Sequence, residues 1–141
     1  MNNHEDSKIV EDVTHLEPRH MFEIIRREGE SELSRPTKSL IWSGIAAGIM
    51  ISFSVIGEAI FRTYLPDTRA SYLIENLGYC FGFLLVILGK LQLFTENTIT
   101  TIFPLVRDPK PRMFGRVARL WSSVLLANVV GAFAAGMVMV F

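Results

Sequence analysis

Cysteine occurs once in the 141 residues, as Cys80 inside an apolar run, so neither a disulfide framework nor a cysteine-based metal site can be built. Histidine is nearly as scarce: His4, His15 and His20 all fall in the first 20 positions. Charge is unevenly spread. Residues 1–38 hold 6 of the 14 Lys and Arg residues and 9 of the 14 Asp and Glu residues, leaving 8 basic and 5 acidic side chains for the other 103 positions. A water-soluble domain does not confine its charge to one tail, which argues against a soluble enzyme. No basic patch stands clear of matching acids, so nucleic acid is not an expected partner. The polar, acidic start of the chain also lacks the apolar core of a secretory signal.

What the chain has in quantity is long apolar sequence. Half of its residues are hydrophobic and its mean hydropathy is +0.33. Ser39–Phe61 is 23 residues with Glu58 as its one charge, a helix of roughly 34 Å, enough to cross a hydrocarbon core of about 30 Å. Leu120–Phe141 is 22 residues without a charge, roughly 33 Å as a helix. Both read as membrane spans.

The middle stretch, Leu77–Val106, differs. Its 30 residues would make a straight helix of roughly 45 Å, too long for one untilted span. Lys90, Gln92, Thr95, Glu96 and Asn97 cluster at its centre. The flanking pieces, Leu77–Leu88 and Thr98–Val106, sum to about 32 Å, close to one bilayer thickness. The economical reading is one crossing made of two half-helices interrupted near mid-membrane over Lys90–Asn97. Such a break is tolerated only where its backbone is buried in protein or lines a wet cavity, and discontinuous helices of this kind commonly build transport sites. The alternative is an ordinary helix over Leu77–Gln92 followed by an interfacial segment, which leaves the apolar Thr98–Val106 with nowhere to be buried.

Short-loop Lys and Arg residues set orientation. Six precede the first span, two (Arg62 and Arg69) lie in Arg62–Asn76, and five (Arg107, Lys110, Arg112, Arg116, Arg119) lie in Arg107–Arg119. The N-terminus and the second loop are therefore expected in the cytoplasm. Residues 1–37 form the cytoplasmic tail and 38–141 the three-span part. Within the tail, residues 1–13 look disordered. A helix is expected over Pro18–Glu28, with Met21, Phe22, Ile24 and Ile25 as its apolar stripe, then a polar linker from Gly29 to Pro36. The stripe either docks on a partner or the membrane surface or, the favoured option, caps its own chain. Gly44/Gly48 and Ala127/Gly131/Ala135 have the spacing of close helix packing.

Gly78-Tyr79-Cys80-Phe81-Gly82-Phe83-Leu84-Leu85 and Gly89-Lys90-Leu91-Gln92-Leu93-Phe94-Thr95-Glu96-Asn97-Thr98 resemble the formate/nitrite transporter family, as do Gly44-Ile45-Ala46-Ala47-Gly48 and Ala127-Asn128-Val129-Val130-Gly131-Ala132. The Leu-Phe-Thr-Glu-Asn string looks like a branch of it found among bacterial inner-membrane proteins. The resemblance covers about residues 36–141. It implies an all-α membrane protein with an aquaporin-like fold of two inverted three-span repeats. This chain would be the first repeat, with its second transmembrane helix broken. It also implies a homo-oligomer, a pentamer with one pore per subunit, passing small monovalent anions across the lipid bilayer without a cofactor. Thr95 falls on the family's threonine in the breaking loop. Leu93 and Phe94 match apolar residues that narrow the pore on its cytoplasmic side. Tyr79 stands where the family usually has an outer-constriction phenylalanine, and Phe83 where it often has a leucine. The family's central histidine belongs to the second repeat, and the tail histidines cannot replace it, so the expectation is a truncated chain or one half of a split system.

The pathway expected from these readings runs past Tyr79, Phe83, Lys90, Leu93, Phe94, Thr95, Glu96 and Asn97. A helix N-terminus near Thr98 and the Thr95 hydroxyl would meet the anion at the break, and the rings of Tyr79, Phe83 and Phe94 would exclude hydrated ions. Lys90 either attracts the anion, pairs with Glu96 or Glu58, or snorkels toward the cytoplasmic interface. Glu96 is better read as capping the following half-helix, and Glu58 as an interfacial residue. Against the channel stands a non-conducting assembly or regulatory subunit. A membrane enzyme is weakest, for the spans carry no nucleophile–base pair or metal-ligand spacing.

Overall fold

The computed structural model describes residues 18–140, all of whose regular structure is helical. The expected disorder over residues 1–13 lies outside the described residues, as does Phe141. The helices are α1 (Pro18–Ser34), α2 (Thr37–Ile51), α3 (Phe53–Tyr64), α4 (Arg69–Gly78), α5 (Cys80–Leu88), α6 (Phe94–Thr100), α7 (Ile102–Arg107) and α8 (Pro111–Val140). Three stretches are long and apolar enough to cross a membrane: Thr37–Tyr64, Arg69–Leu88 and Pro111–Val140.

The spans do not begin and end with their apolar runs. The first continues to Tyr64, its regular helix interrupted for one residue at Ser52, whose hydroxyl donates to the Gly48 carbonyl oxygen (3.0 Å) one turn back. The second begins at Arg69 rather than Leu77, because Thr68 caps it by accepting the Ser71 N–H (3.1 Å). The expected loop over Arg62–Asn76 thus shrinks to Leu65–Thr68. The third begins at Pro111, a residue suited to a first turn, so Arg112, Arg116 and Arg119 are helical and only Asp108–Lys110 remains a loop.

The tail helix also outruns its expected end at Glu28. It passes through Gly29, where a Cβ would collide with the Thr100 carbonyl oxygen, and stops at Ser34. Its end is capped from α8: Arg119 donates to the carbonyl oxygens of Leu33 (2.9 Å) and Arg35 (3.3 Å). The stripe divides. Phe22 meets Phe103 edge-on at 5.2 Å, whereas Met21 and Ile24 stay exposed. The helix therefore packs on its own chain. Leu33, Leu40, Val117, Leu120 and Val124 form the buried core where α1, α2 and α8 meet.

The α2–α8 seam is the most extensive helix contact. A Cβ on Gly48 would strike the Asn128 carbonyl oxygen, and one on Gly131 the Ile45 carbonyl oxygen. The small-residue spacing is close packing, as expected. A second close approach, Gly57 against Gly78, joins α3 to α4.

Candidate functional site

The second crossing is interrupted, but over Gly89–Leu93 rather than Lys90–Asn97. The expected pair of half-helices summing to one crossing is not what forms, because the helical stretch before the break is already of full crossing length. Arg69–Leu88 is 20 residues, roughly 30 Å, and α6 and α7 continue beyond the break. Asn128, level with the break, lies eight residues into Leu120–Phe141, roughly 12 Å from that run's charged end. By sequence position the interruption is thus level with the apolar length of the third span, near that run's charged end.

The sequence dictates both edges of the break. At its start the chain leaves α5 through a left-handed residue: Lys90 N–H bonds to the Ile87 carbonyl oxygen (3.1 Å) and Leu91 N–H to that of Val86 (3.1 Å). This is a Schellman ending, in which the left-handed position usually holds glycine. Here it holds Lys90, at φ 48°. At its end, the Phe94 N–H is taken by Asn128 Oδ1 (2.9 Å), so α6 starts four residues earlier than Thr98. Thr95, Glu96 and Asn97 consequently lie in its first turns and not in the break. A further interruption at Thr101 follows from Pro104, which has no N–H to give to the preceding turn.

Side chains from three other helices hold the break. The Gln92 N–H donates to Ser43 Oγ (3.0 Å), and Asn128 Nδ2 donates to the carbonyl oxygens of Gln92 (2.9 Å) and Gly44 (2.8 Å). The buried Gln92 side chain donates to Glu32 of α1 (2.9 Å) and accepts from the buried Asn97 (2.9 Å). Thr101 donates to the Asn97 carbonyl oxygen (2.6 Å) and accepts from Trp121 Nε1 (2.9 Å). Among the described residues every buried side-chain polar atom has a partner, as polar groups enclosed in protein require.

Between the break and the tail helix lies a cavity of about 510 Å³ whose walls include Glu28, Glu32, Arg35, Lys90, Glu96 and Asn97. Lys90 and Glu96 share it without forming an ion pair; Arg35 pairs with Glu32 at 3.1 Å. Glu96 stands in the first turn of α6, with Leu93 in the capping position and no side-chain cap bond made. The exposed Thr95 accepts, through its carbonyl oxygen, from the Thr98 hydroxyl (2.7 Å).

Apart from Thr95, which is exposed on α6 and outside the cavity wall, the expected site residues fall into three groups. Lys90, Glu96 and Asn97 line the cavity. Leu93 and Phe94 stand at the α6 edge, where the half-buried Phe94 packs against the core and meets Trp121 edge-on at 6.3 Å. Tyr79 and Phe83 form a separate ring pair at 5.5 Å on the far half of the crossing. There the Tyr79 carbonyl oxygen accepts from Ser54 (2.6 Å). Sequence reasoning missed Glu32, Ser43 and Asn128 as holders of the break. One signal for Asn128 was present, since it is the single amide in Leu120–Phe141.

Residues 19–141 match the family described as formate/nitrite transporter. The chain is similar to the inner membrane protein YfdC of Escherichia coli (strain K12), 45% identical over 111 residues, which is 79% of this chain and 36% of that protein. It therefore spans about a third of that relative's length. No solved structure matches it. With almost the whole described chain inside the match, and three apolar helices suited to a multi-pass protein of the bacterial inner membrane, the chain belongs to the formate/nitrite transporter family.

Proposed function

We propose that this chain forms three spans of a channel or transporter for small monovalent anions such as formate or nitrite. In this reading its fold is aquaporin-like, a second inverted three-span repeat completes the pore, and the subunits assemble as a pentamer. The N-terminus is cytoplasmic, supported by the excess of Lys and Arg in the tail and in the residues after Val106.

The observation that carries the proposal is the break Gly89–Leu93, tied by hydrogen bonds to both other spans and opening on a polar cavity. A bare anion at the bilayer centre costs several kcal/mol even on permissive scales. An interrupted helix whose backbone is held by protein groups or faces a polar cavity lets polar groups stand at that depth without exposing them to lipid. The anion passes the Tyr79–Phe83 ring pair, which rejects hydrated ions by its apolar faces. It then passes Leu93 and Thr95 and reaches the cavity, where Lys90 offsets the carboxylates of Glu28, Glu32 and Glu96.

The test is formate and nitrite flux into liposomes holding the chain alone and the chain co-reconstituted with a second three-span half. Flux in the paired preparation, reduced by Thr95→Ala and made less selective by Phe83→Ala, supports the reading. Absence of flux in both preparations overturns it in favour of a non-conducting assembly subunit, and unchanged flux in Thr95→Ala removes the hydroxyl from the pathway.

A further inference from the structure

One side chain grips the break on both flanks of a single residue. Asn128 Nδ2 donates to the Gln92 carbonyl oxygen (2.9 Å), and its Oδ1 accepts from the Phe94 N–H (2.9 Å). The residue between these two peptides is Leu93, extended at φ −97° and ψ 131°. A carboxamide offers the donor and acceptor of a peptide group in one plane, so Asn128 bonds this segment as a neighbouring strand would. Its second donated bond, to the Gly44 carbonyl oxygen (2.8 Å), fixes the amide against the first span. That contact requires glycine at 44, where a Cβ would press on Ala127. Asn128 is not part of the cavity wall, which includes Gln92 but not Leu93; it acts on a passing solute only through the segment it holds, Gln92–Phe94.

We propose that Asn128 is a positioning residue for size selection. By clamping the peptides before and after Leu93, it fixes how far that side chain projects into the anion path, and hence the largest anion that passes. This inference rests on the transport reading above. Loss of the clamp frees the Gln92 carbonyl and the Phe94 N–H from their protein partners, and the segment must move, or take water from the cavity, to satisfy them.

The experiment compares wild type, Asn128→Leu, Asn128→Asp and Ser43→Ala in the co-reconstituted preparation, using formate and acetate gradients. Amide hydrogen exchange across residues 89–97 is followed in the same samples. Asn128→Leu is expected to speed exchange at Phe94 while α8 stays protected. It should also lower the formate-to-acetate flux ratio by about tenfold, the discrimination one methylene carries in a shaped site. Asn128→Asp keeps an acceptor for Phe94 and should fall between. It also serves if the leucine variant fails to fold. Ser43→Ala removes only the Gln92 N–H partner and should change the ratio least. Faster exchange with an unchanged ratio would mean the residue is merely structural, and unchanged exchange would mean there is no clamp; either overturns the inference while leaving transport intact. Absence of wild-type flux would instead overturn the transport reading, and size selection with it.

Discussion

The α2–α8 seam and the break in the second crossing lie side by side and are held by opposite means. At the seam, glycines let backbones touch, so the contact is dispersion between closely packed atoms. At the break, backbone groups with no helical partner are satisfied by side chains of Ser43 and Asn128. The first contact tolerates no added atom; the second tolerates no lost partner. They are also coupled. Asn128 reaches Gln92 and Gly44 together only because α2 and α8 approach this closely. Tight packing of two intact spans is what permits the third to be broken.

The sharpest way to break this contrast is to add bulk to the seam. Gly48→Leu would drive a side chain into the Asn128 carbonyl oxygen and the Ala132 nitrogen. We expect a loss of about 3 kcal/mol or more, measured by unfolding in detergent, together with loss of the break's hydrogen bonds. Gly115→Ala, also on α8, is the control. A Cβ there meets nothing within 4 Å, so the same helix should gain about 0.5–1 kcal/mol.

Subtracting a partner tests the other side. Gln92→Leu removes the bond to Glu32 and strands the buried Asn97 amide. The expected cost is about 1–2 kcal/mol, with faster hydrogen exchange in α1 and α6 and none in the α2–α8 seam. An equal loosening of the seam would show that the two regions are a single unit.

Lys90 separates stability from function. Its left-handed backbone suits glycine, so Lys90→Gly should stabilise the α5 ending by about 1 kcal/mol. If the lysine draws anions into the cavity, the same change should slow formate uptake by about tenfold at low ionic strength, and the difference should narrow as salt is raised. A variant that is more stable and equally fast would mark Lys90 as a surface residue only.

The seam was legible in the sequence because glycine and alanine at helical spacing record it directly. The broken crossing was legible in outline, since no continuous apolar helix accommodates Lys90–Asn97. Its edges were not. They depend on Asn128, 34 positions beyond Phe94, and on Ser43, 49 before Gln92, and no local pattern announces a bond across such separations. Residues 69–76 read as loop because they lie outside the apolar runs, yet capping by Thr68 carries the helix through them. The cavity was missed for a related reason: its far wall is the tail helix, whose docking depends on Gly29 meeting α6.

The smallest effect extends the comparison to polar contacts in water. On α1, Glu23 accepts from Arg26 (2.6 Å and 2.8 Å) and from Arg27 (3.1 Å), and these hydrogen bonds hold its carboxyl down to about 2. Its ordinary value is 4.5. A carboxylate depressed in the folded state stabilises that state above the ordinary value and loses the contribution as pH falls through the depressed one. Glu23→Gln should therefore lower the thermal midpoint slightly at pH 6. Its difference from wild type should shrink between pH 4.5 and about 2. Because the cluster is only half-buried and Arg27 is exposed, added salt should shrink that difference too, whereas the cost of Gln92→Leu should be less sensitive to salt. If both variants respond to salt alike, the polar bonds of the break are as wet as those of the tail, and the contrast between a dry, satisfied break and its solvated surroundings fails.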